Sequence, residues 1–325
     1  MKKEHIAIII PMFNVAKHIE KVIQDIPDFV DTIIVVDDAS KDNSVSIVKQ
    51  MDDHRLILIQ NKTNLGVGGA MVTGFQKAIE LKASMVIKID GDGQMPITYL
   101  NELIAPILLG QADFSKGNRF ANFEAMSQMP GIRRIGNLGL SFITKAASGY
   151  WNVFDPTNGF FALDGHTLTQ INFEDLHPRY FFESSMLCAL YSVGAVIADI
   201  PIPAKYGDEI SSLSVWKTLI EFPPLLFQRF THRIWLRYFV LDFSVASLSL
   251  IIGLALLLFG GSWGLYWWYQ SILTKIAATA GTVIIAALPV ILGFQLILQF
   301  LTLDIQNIPI KPLNNRGKHL SHENL

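Results

Sequence analysis

Met85-Val86-Ile87-Lys88-Ile89-Asp90-Gly91-Asp92-Gly93-Gln94 is the stretch on which the fold turns. A short apolar run ends abruptly in two carboxylates at i and i+2, separated by glycines that permit a tight turn. Four other runs share its character: Ile6–Ile10, Thr32–Val36, Leu56–Ile59 and Ala112–Lys116. Helical periodicity fits between them, near Val15–Asp25, Asn43–Met51, Gly68–Leu81 and Ile97–Leu108. Apolar strands alternating with helices predict an α/β fold, a mostly parallel sheet covered on both faces. Ligands of such folds sit beyond the carboxyl ends of the strands, so the residues just after each run are the candidates for chemistry.

Asp90 and Asp92 stand at such a position and can hold one hard divalent cation that keeps places for phosphate oxygens. Taken alone, Asp-Gly-Asp-Gly is usually no more than an acidic turn; its place after a strand gives it weight. Asp37-Asp38-Ala39-Ser40-Lys41-Asp42 follows the second run, where a carboxylate can accept from ribose hydroxyls or a base N–H. Asp42 is expected to cap the helix that begins near Asn43. In Asn64-Leu65-Gly66-Val67-Gly68-Gly69-Ala70 the glycines would let backbone approach a ligand and open a helix facing phosphate. That segment matches neither the dinucleotide fingerprint nor the P-loop.

Beyond Arg119 the pattern loosens. A polar loop over Asn122–Pro130 precedes a helix near Ile132–Gly149, a segment near Gly159–Leu163, a helix near Tyr180–Val193 and a last run, Ala195–Ile200. Charge is distributed unevenly. Of 325 residues 17% are charged, against roughly 25% in soluble domains, and from Phe239 to Leu303 only Asp242 and Lys275 carry charge. A formal net charge of -2 argues against a nucleic-acid partner. The single cysteine, Cys188, forms no internal disulfide and reads as core packing. The eight histidines are scattered, so no zinc site is expected. The opening apolar run is too short for a signal peptide and stops at Pro11, so the soluble part is expected on the cytoplasmic side.

Ser214–Tyr238 mixes aromatic and basic residues; its first half suits either the membrane interface or a helix packed on the soluble domain, its basic second half the interface, and Pro223-Pro224 is expected to break or kink any helix. Phe239–Gly260 and Ile276–Leu303 are each long enough to cross a bilayer. Trp263, Tyr266, Trp267, Trp268 and Tyr269, in the expected loop Gly261–Ser271, resemble an interfacial belt, with Lys275 anchoring there. Asp242 is expected to pair with a basic neighbour. Arg229, Arg233 and Arg237 before the pair, and Lys311, Arg316 and Lys318 after it, place both flanks inside. The expected organisation is a catalytic domain (1–210), an interfacial segment (211–238), a two-helix anchor (239–304) and a cytoplasmic tail (305–325). The result is a multi-pass protein of the inner (plasma) membrane, and two lone spans favour self-association.

Taken in order, Ile10-Pro11-Met12-Phe13-Asn14, Val36-Asp37-Asp38-Ala39-Ser40 and Asp90-Gly91-Asp92 resemble the motifs of glycosyltransferase family 2, which has the GT-A fold. The resemblance runs over roughly residues 6 to 205. The two terminal helices are similar to the polyprenyl-phosphate, dolichol-phosphate mannosyltransferase-like members; the Gln-x-x-Arg-Trp motif of processive synthases is absent. The resemblance implies that Pro11, Asn14, Asp37 and Asp38 hold the nucleoside, with Gly66 beside the donor. It implies Mg2+ or Mn2+ on Asp90, Asp92 and Gln94. Arg119 and Arg133 would bind the lipid phosphate, and Lys205 stands where relatives often carry arginine. The reaction implied is transfer from a UDP- or GDP-linked sugar to a polyprenyl phosphate. An ionised phosphate needs no base, so direct inverting displacement is expected. Asp155 and Glu183 either orient sugar hydroxyls or serve as base, or else organise a turn and pair with an arginine. The alternatives are another lipid acceptor such as diacylglycerol, or a silent sugar-nucleotide-binding subunit.

Overall fold

The structure is a computed structural model that describes residues 4–120, 131–203 and 215–314, without the side chains of 131–138 and 215–220. It divides into two compact units, Met1–Phe230 with Pro309–Leu325, and Thr231–Ile308.

The first unit is built on a seven-stranded sheet in the order β3-β2-β1-β4-β6-β5-β7. Its strands are β1 (Ile6–Met12), β2 (Thr32–Asp37), β3 (Leu56–Gln60), β4 (Met85–Lys88), β5 (Phe114–Asn118), β6 (Phe161–Asp164) and β7 (Ile197–Pro201). β1, β2, β3 and β4 run parallel, as do β5 and β7, while β6 is antiparallel to both β4 and β5. The expected mostly parallel sheet is therefore present, with one reversed strand. That reversal makes β4 and β5 point the same way, so their carboxyl ends and the start of β6 share one edge.

β1, β2 and β4 are buried on both faces, which is why they read as continuous apolar runs. On one face Ile8, Ile10, Ile33, Val35 and Ile87 pack with Ile19 and Val22 of α1 (Ile19–Gln24) and with Leu103 and Ile107 of α4 (Leu100–Leu108). Each such side chain contributes about 1.5–3 kcal/mol on burial. α2 (Ser44–Gln50) follows β2. Asp42 accepts from the Ser44 amide and hydroxyl at its start, the capping role expected of it. On the other face α3 (Val67–Glu80) lies close to β1, because a Cβ on Gly74 would strike Ile9. α5 (Gly131–Ser148), α6 (Gly165–Gln170) and α7 (Phe182–Val193) complete the layer order near the segments expected.

α8 (Val215–Trp235) continues through Pro223-Pro224, so of the two expected outcomes the pair does not break the helix. Prolines remove backbone donors, but here Phe222 and Leu226 on either side of the pair are buried with Ala147 and Phe181. Tertiary packing overrides the local signal.

The chain later returns to the first unit. Asp113, wholly buried beside β5, accepts from the amides of Val196 (2.8 Å), Leu313 (2.9 Å) and Asn314 (2.8 Å), and from the Asn314 side chain (3.0 Å).

In the second unit α9 (Val245–Thr274) and α10 (Ala280–Gln306) are long and apolar enough to cross a membrane by length and composition. Two boundaries differ from expectation. Phe239 lies in a π-helical turn, Leu236–Leu241, and α9 starts only after a Ser244/Ser247 capping box. The aromatic segment Gly261–Ser271 is helix rather than loop. Phe259 stacks on Trp263 and Trp263 meets Trp267 at a tilt, both at the i, i+4 spacing of a helix, with centroids 6.1 and 6.0 Å apart. The two helices approach through glycines: a Cβ on Gly293 would lie 2.8 Å from the Gly253 carbonyl. Asp242 is exposed; the buried pair of this unit is instead Arg233 with Asp304, bidentate at 2.7 and 2.9 Å, with the Tyr238 hydroxyl donating to Asp304 at 2.7 Å.

Candidate active site

The site lies at the edge where β1, β2, β4 and β5 end and β6 begins. Beyond β1 and β2 two non-glycine residues, Asn14 (φ 54°) and Ala39 (φ 61°), adopt left-handed backbone. Such conformations persist only where surrounding bonds over-determine them. Here the Asn14 amide donates to Ser40 Oγ (3.0 Å) and Asn14 Oδ1 accepts from the Lys41 amide (2.8 Å). The Ala16 amide donates to Asp42 (3.0 Å), joining the same two turns. Pro11, half-buried, precedes this knot, and buried Asp37 accepts from the Ser40 amide (3.1 Å).

Asp38 and Gly66 come together, but with each other. Asp38 Oδ1 accepts from Asn61 Nδ2 (2.9 Å) and the Leu65 amide (2.8 Å), and Oδ2 from the Gly66 amide (2.7 Å). Gly66 has φ 85°, and a Cβ there would lie 2.6 Å from the Pro178 carbonyl oxygen. The Gly69 amide donates to that same oxygen at 3.1 Å. The glycines thus admit the chain's own Pro178 segment at this point. The Gly66 amide is already committed to Asp38.

Beyond β4, Asp90 is a third exposed, and its Oδ1 meets Lys88 Nζ at 2.8 Å. Lys88 is buried and also reaches Glu183 Oε1 at 3.3 Å. Burial disfavours its charge, but the Asp90 and Glu183 carboxylates outweigh that and hold Lys88 above the ordinary lysine range. Glu183 therefore pairs with a lysine, not with the arginine expected. Gly159 backs onto this cluster: a Cβ there would press on Lys88 Nζ and lie 3.2 Å from Glu183 Oε1 and 3.3 Å from Asp90 Oδ2. Asp92 Oδ1 accepts from the Gln94 amide at 3.0 Å, closing the turn.

Beyond β5, Arg119 donates through Nε (2.7 Å) and Nη2 (3.0 Å) to Asp155, which is wholly buried, while the guanidinium side remains 39% exposed. Asp155 also accepts from the Arg119 amide (3.2 Å). Arg133 lies in the first turn of α5, with its side chain outside the described residues, and Lys205 is outside them altogether. Sequence reading missed Lys88, Lys116, Gly159 and Asp199. A lysine inside an otherwise apolar strand was the available signal for the first two.

The donor set beyond β4 suits a hard cation. Asp90 and Asp92 offer carboxylate oxygens and Gln94 an amide oxygen, with no thiolate or imidazole at the turn. Among the described residues no group of three His, Cys, Asp or Glu gathers to enclose a metal. Any ion on this turn would keep places for phosphate oxygens, as Mg2+ does.

A mostly parallel sheet with one reversed strand, and an Asp-x-Asp turn at its carboxyl edge, gives the architecture of the GT-A fold. The profile of Glycosyl transferase family 2 matches residues 7–166. A UDP-N-acetylglucosamine–dolichyl-phosphate N-acetylglucosaminyltransferase of Methanococcus voltae is 33% identical over 223 residues, 64% of this chain and 88% of that protein. An undecaprenyl-phosphate mannosyltransferase of Micrococcus luteus is 26% identical, covering 60% of this chain and 81% of its own. In fold the chain is similar to glucosyl-3-phosphoglycerate synthase of Mycobacterium tuberculosis in complex with UDP, with TM-score 0.55 and 18% identity over 70% of this chain and 80% of that one. The same synthase was also crystallised with Mn2+, UDP-glucose and phosphoglyceric acid. The chain belongs to glycosyltransferase family 2 and is a glycosyltransferase.

Proposed function

We propose that the protein transfers one sugar from a UDP- or GDP-linked donor to a polyprenyl phosphate, undecaprenyl or dolichyl, at the cytoplasmic membrane face. The observation that carries this reading is the shared edge. An acidic turn for the donor follows β4, and an arginine fixed by a buried carboxylate follows β5, with only β6 between them. The acceptor class is supported by the relatives, which are named for dolichyl and undecaprenyl phosphates. α9 and α10 would hold the enzyme where such lipids reside, and both flanks of that unit are basic.

Asp90, Asp92 and Gln94 would hold Mg2+ or Mn2+, which when bound offsets charge on the departing diphosphate. The Asn14–Lys41 knot and Asp37 shape the nucleoside end. Asp155 fixes the Arg119 fork so that it faces the acceptor without loss of rotamer freedom. Glu183 and Asp155 are both engaged with cations, and an ionised phosphate needs neither as base. The anomeric carbon is therefore attacked directly, with inversion.

The test is transfer of radiolabel from UDP-N-acetylglucosamine, UDP-glucose and GDP-mannose into undecaprenyl, dolichyl phosphate or diacylglycerol, with Mg2+, Mn2+ or EDTA. A metal-dependent polyprenyl product supports the reading. A diacylglycerol product would replace the acceptor, and donor binding without turnover would point to a silent subunit.

A further inference from the structure

Lys116 is the least explained group in the first unit. It lies in β5 with 1% of its surface exposed, and among the described residues its ammonium makes no hydrogen bond or ion pair. An unpaired buried ammonium is costly, so its surroundings must supply the reason for it. Asp199 of β7 is its register partner. Asp199 Oδ2 accepts from Asn118 Nδ2 (2.8 Å) and the Phe154 amide (3.1 Å), while its Oδ1 is buried with no hydrogen-bond partner. The charged groups facing Lys116 are Asp155 before β6, Asp199, Glu183 of α7 and Arg119 at the end of its own strand. Lys145 of α5 also faces Asp199, and Lys88 takes up Glu183.

Charge counting gives Lys116 a purpose. Arg119 and Asp155 cancel, leaving Asp199, whose carboxyl burial pushes up, to be offset by its register partner Lys116 together with Lys145. Without that offset, a negative patch stands behind the arginine that meets an anionic acceptor. Resting on the acceptor-phosphate reading of Arg119, we propose that Lys116 is a positioning residue for acceptor recognition. It compensates Asp199 and Asp155 so that Arg119 presents attractive potential to the phosphate. Lys116 acts through Arg119 and touches no substrate.

Burial brings Lys116 down to about 8, with Asp155, Asp199 and Glu183 partly holding it up. A phosphate monoester completes its own second ionisation near pH 6, so the two titrations separate. The acceptor KM should be flat at neutral pH and rise about tenfold as Lys116 loses its proton above about pH 8. The donor KM should not move. The test measures both constants against pH in the full-length enzyme reconstituted with polyprenyl phosphate. Lys116→Arg, which cannot titrate in this range, should abolish the rise. Lys116→Met should raise the acceptor KM at every pH, and Lys116→Met/Asp199→Asn, which restores balance, should bring it back.

A Lys116→Arg protein that follows the wild-type curve overturns the inference. So does Lys116→Met changing donor and acceptor constants alike, or changing neither. Should Lys116→Met fail to fold, the arginine and double variants still decide. If the wild type yields no polyprenyl product, the acceptor reading itself fails; if product forms without this KM pattern, only the role of Lys116 does.

Discussion

One row of residues crosses the whole sheet in register: Ile57, Ile34, Ile9, Lys88, Phe161, Lys116 and Asp199. Its first half is isoleucine on isoleucine, and its second half carries three charges inside the protein. The β3-β2-β1-β4 half resembles any parallel α/β core, while the β6-β5-β7 half holds buried Asp113, Lys116, Asn118 and Asp155 in and beside its strands. The comparison separates two tasks on one scaffold. Apolar burial in the first half supplies stability, and the second half spends part of it on holding charges out of water. The two lysines of the row show the choice in miniature. Lys88 meets two carboxylates and is held charged, whereas Lys116 meets none directly and is brought down by burial.

The sharpest way to break the comparison is at the end of the apolar half. Asp90→Ala is expected to lower transfer by about a thousandfold or more, in line with loss of a charge-stabilising group, while membrane insertion is retained. Near-native activity in a radiolabel assay would remove the metal assignment.

Next in size is Asp113→Ala in the charged half. It strands the Val196, Leu313 and Asn314 amides, and thermal unfolding in detergent should show a loss of about 3 kcal/mol. Asp38→Ala is its counterpart in the apolar half and strands the Leu65 and Gly66 amides nearer solvent. About 2 kcal/mol is expected there. Equal losses, or a larger one at Asp38, would contradict the idea that charged groups matter more for stability on the β5 side.

The smallest effect over a single pH unit is a matter of sign. Lys116 loses its proton near 8 in the folded protein but near 10.4 when unfolded. Between those values the unfolded chain binds more protons, so this group adds stability as pH rises, by at most about 1.4 kcal/mol per pH unit. Comparing wild type with Lys116→Arg by thermal unfolding isolates the contribution. A difference that shrinks with rising pH would put the Lys116 charge in a different environment.

The apolar half was legible in the sequence because β-branched runs between helices have few other solutions. Ile6–Ile10 and Thr32–Val36 fall within β1 and β2 almost residue for residue. In the charged half the runs Ala112–Lys116, Gly159–Leu163 and Ala195–Ile200 overlap β5, β6 and β7, but the reversal of β6 leaves no mark on composition. Gly66 and Asp38 show what a motif leaves unsaid: only the fold reveals that Pro178 packs against the glycine and that Asp38 also holds the Leu65 and Gly66 amides. The aromatic stretch after Gly261 misled in the other direction, being helix where a loop was expected.

The clasp between Asp113 and Asn314 bears on how the molecule is made. A ribosome finishes every strand of the sheet more than a hundred residues before it reaches Asn314. Until then the Asp113 carboxylate has only the Val196 amide of its final partners. The apolar helices α9 and α10 are synthesised in that interval. The catalytic unit can therefore reach its last hydrogen bonds only after both helices have left the ribosome. A chain stalled between them would carry a nearly complete sheet with an unsatisfied acid at its heart, a mark by which a cell could tell an unfinished enzyme from a finished one.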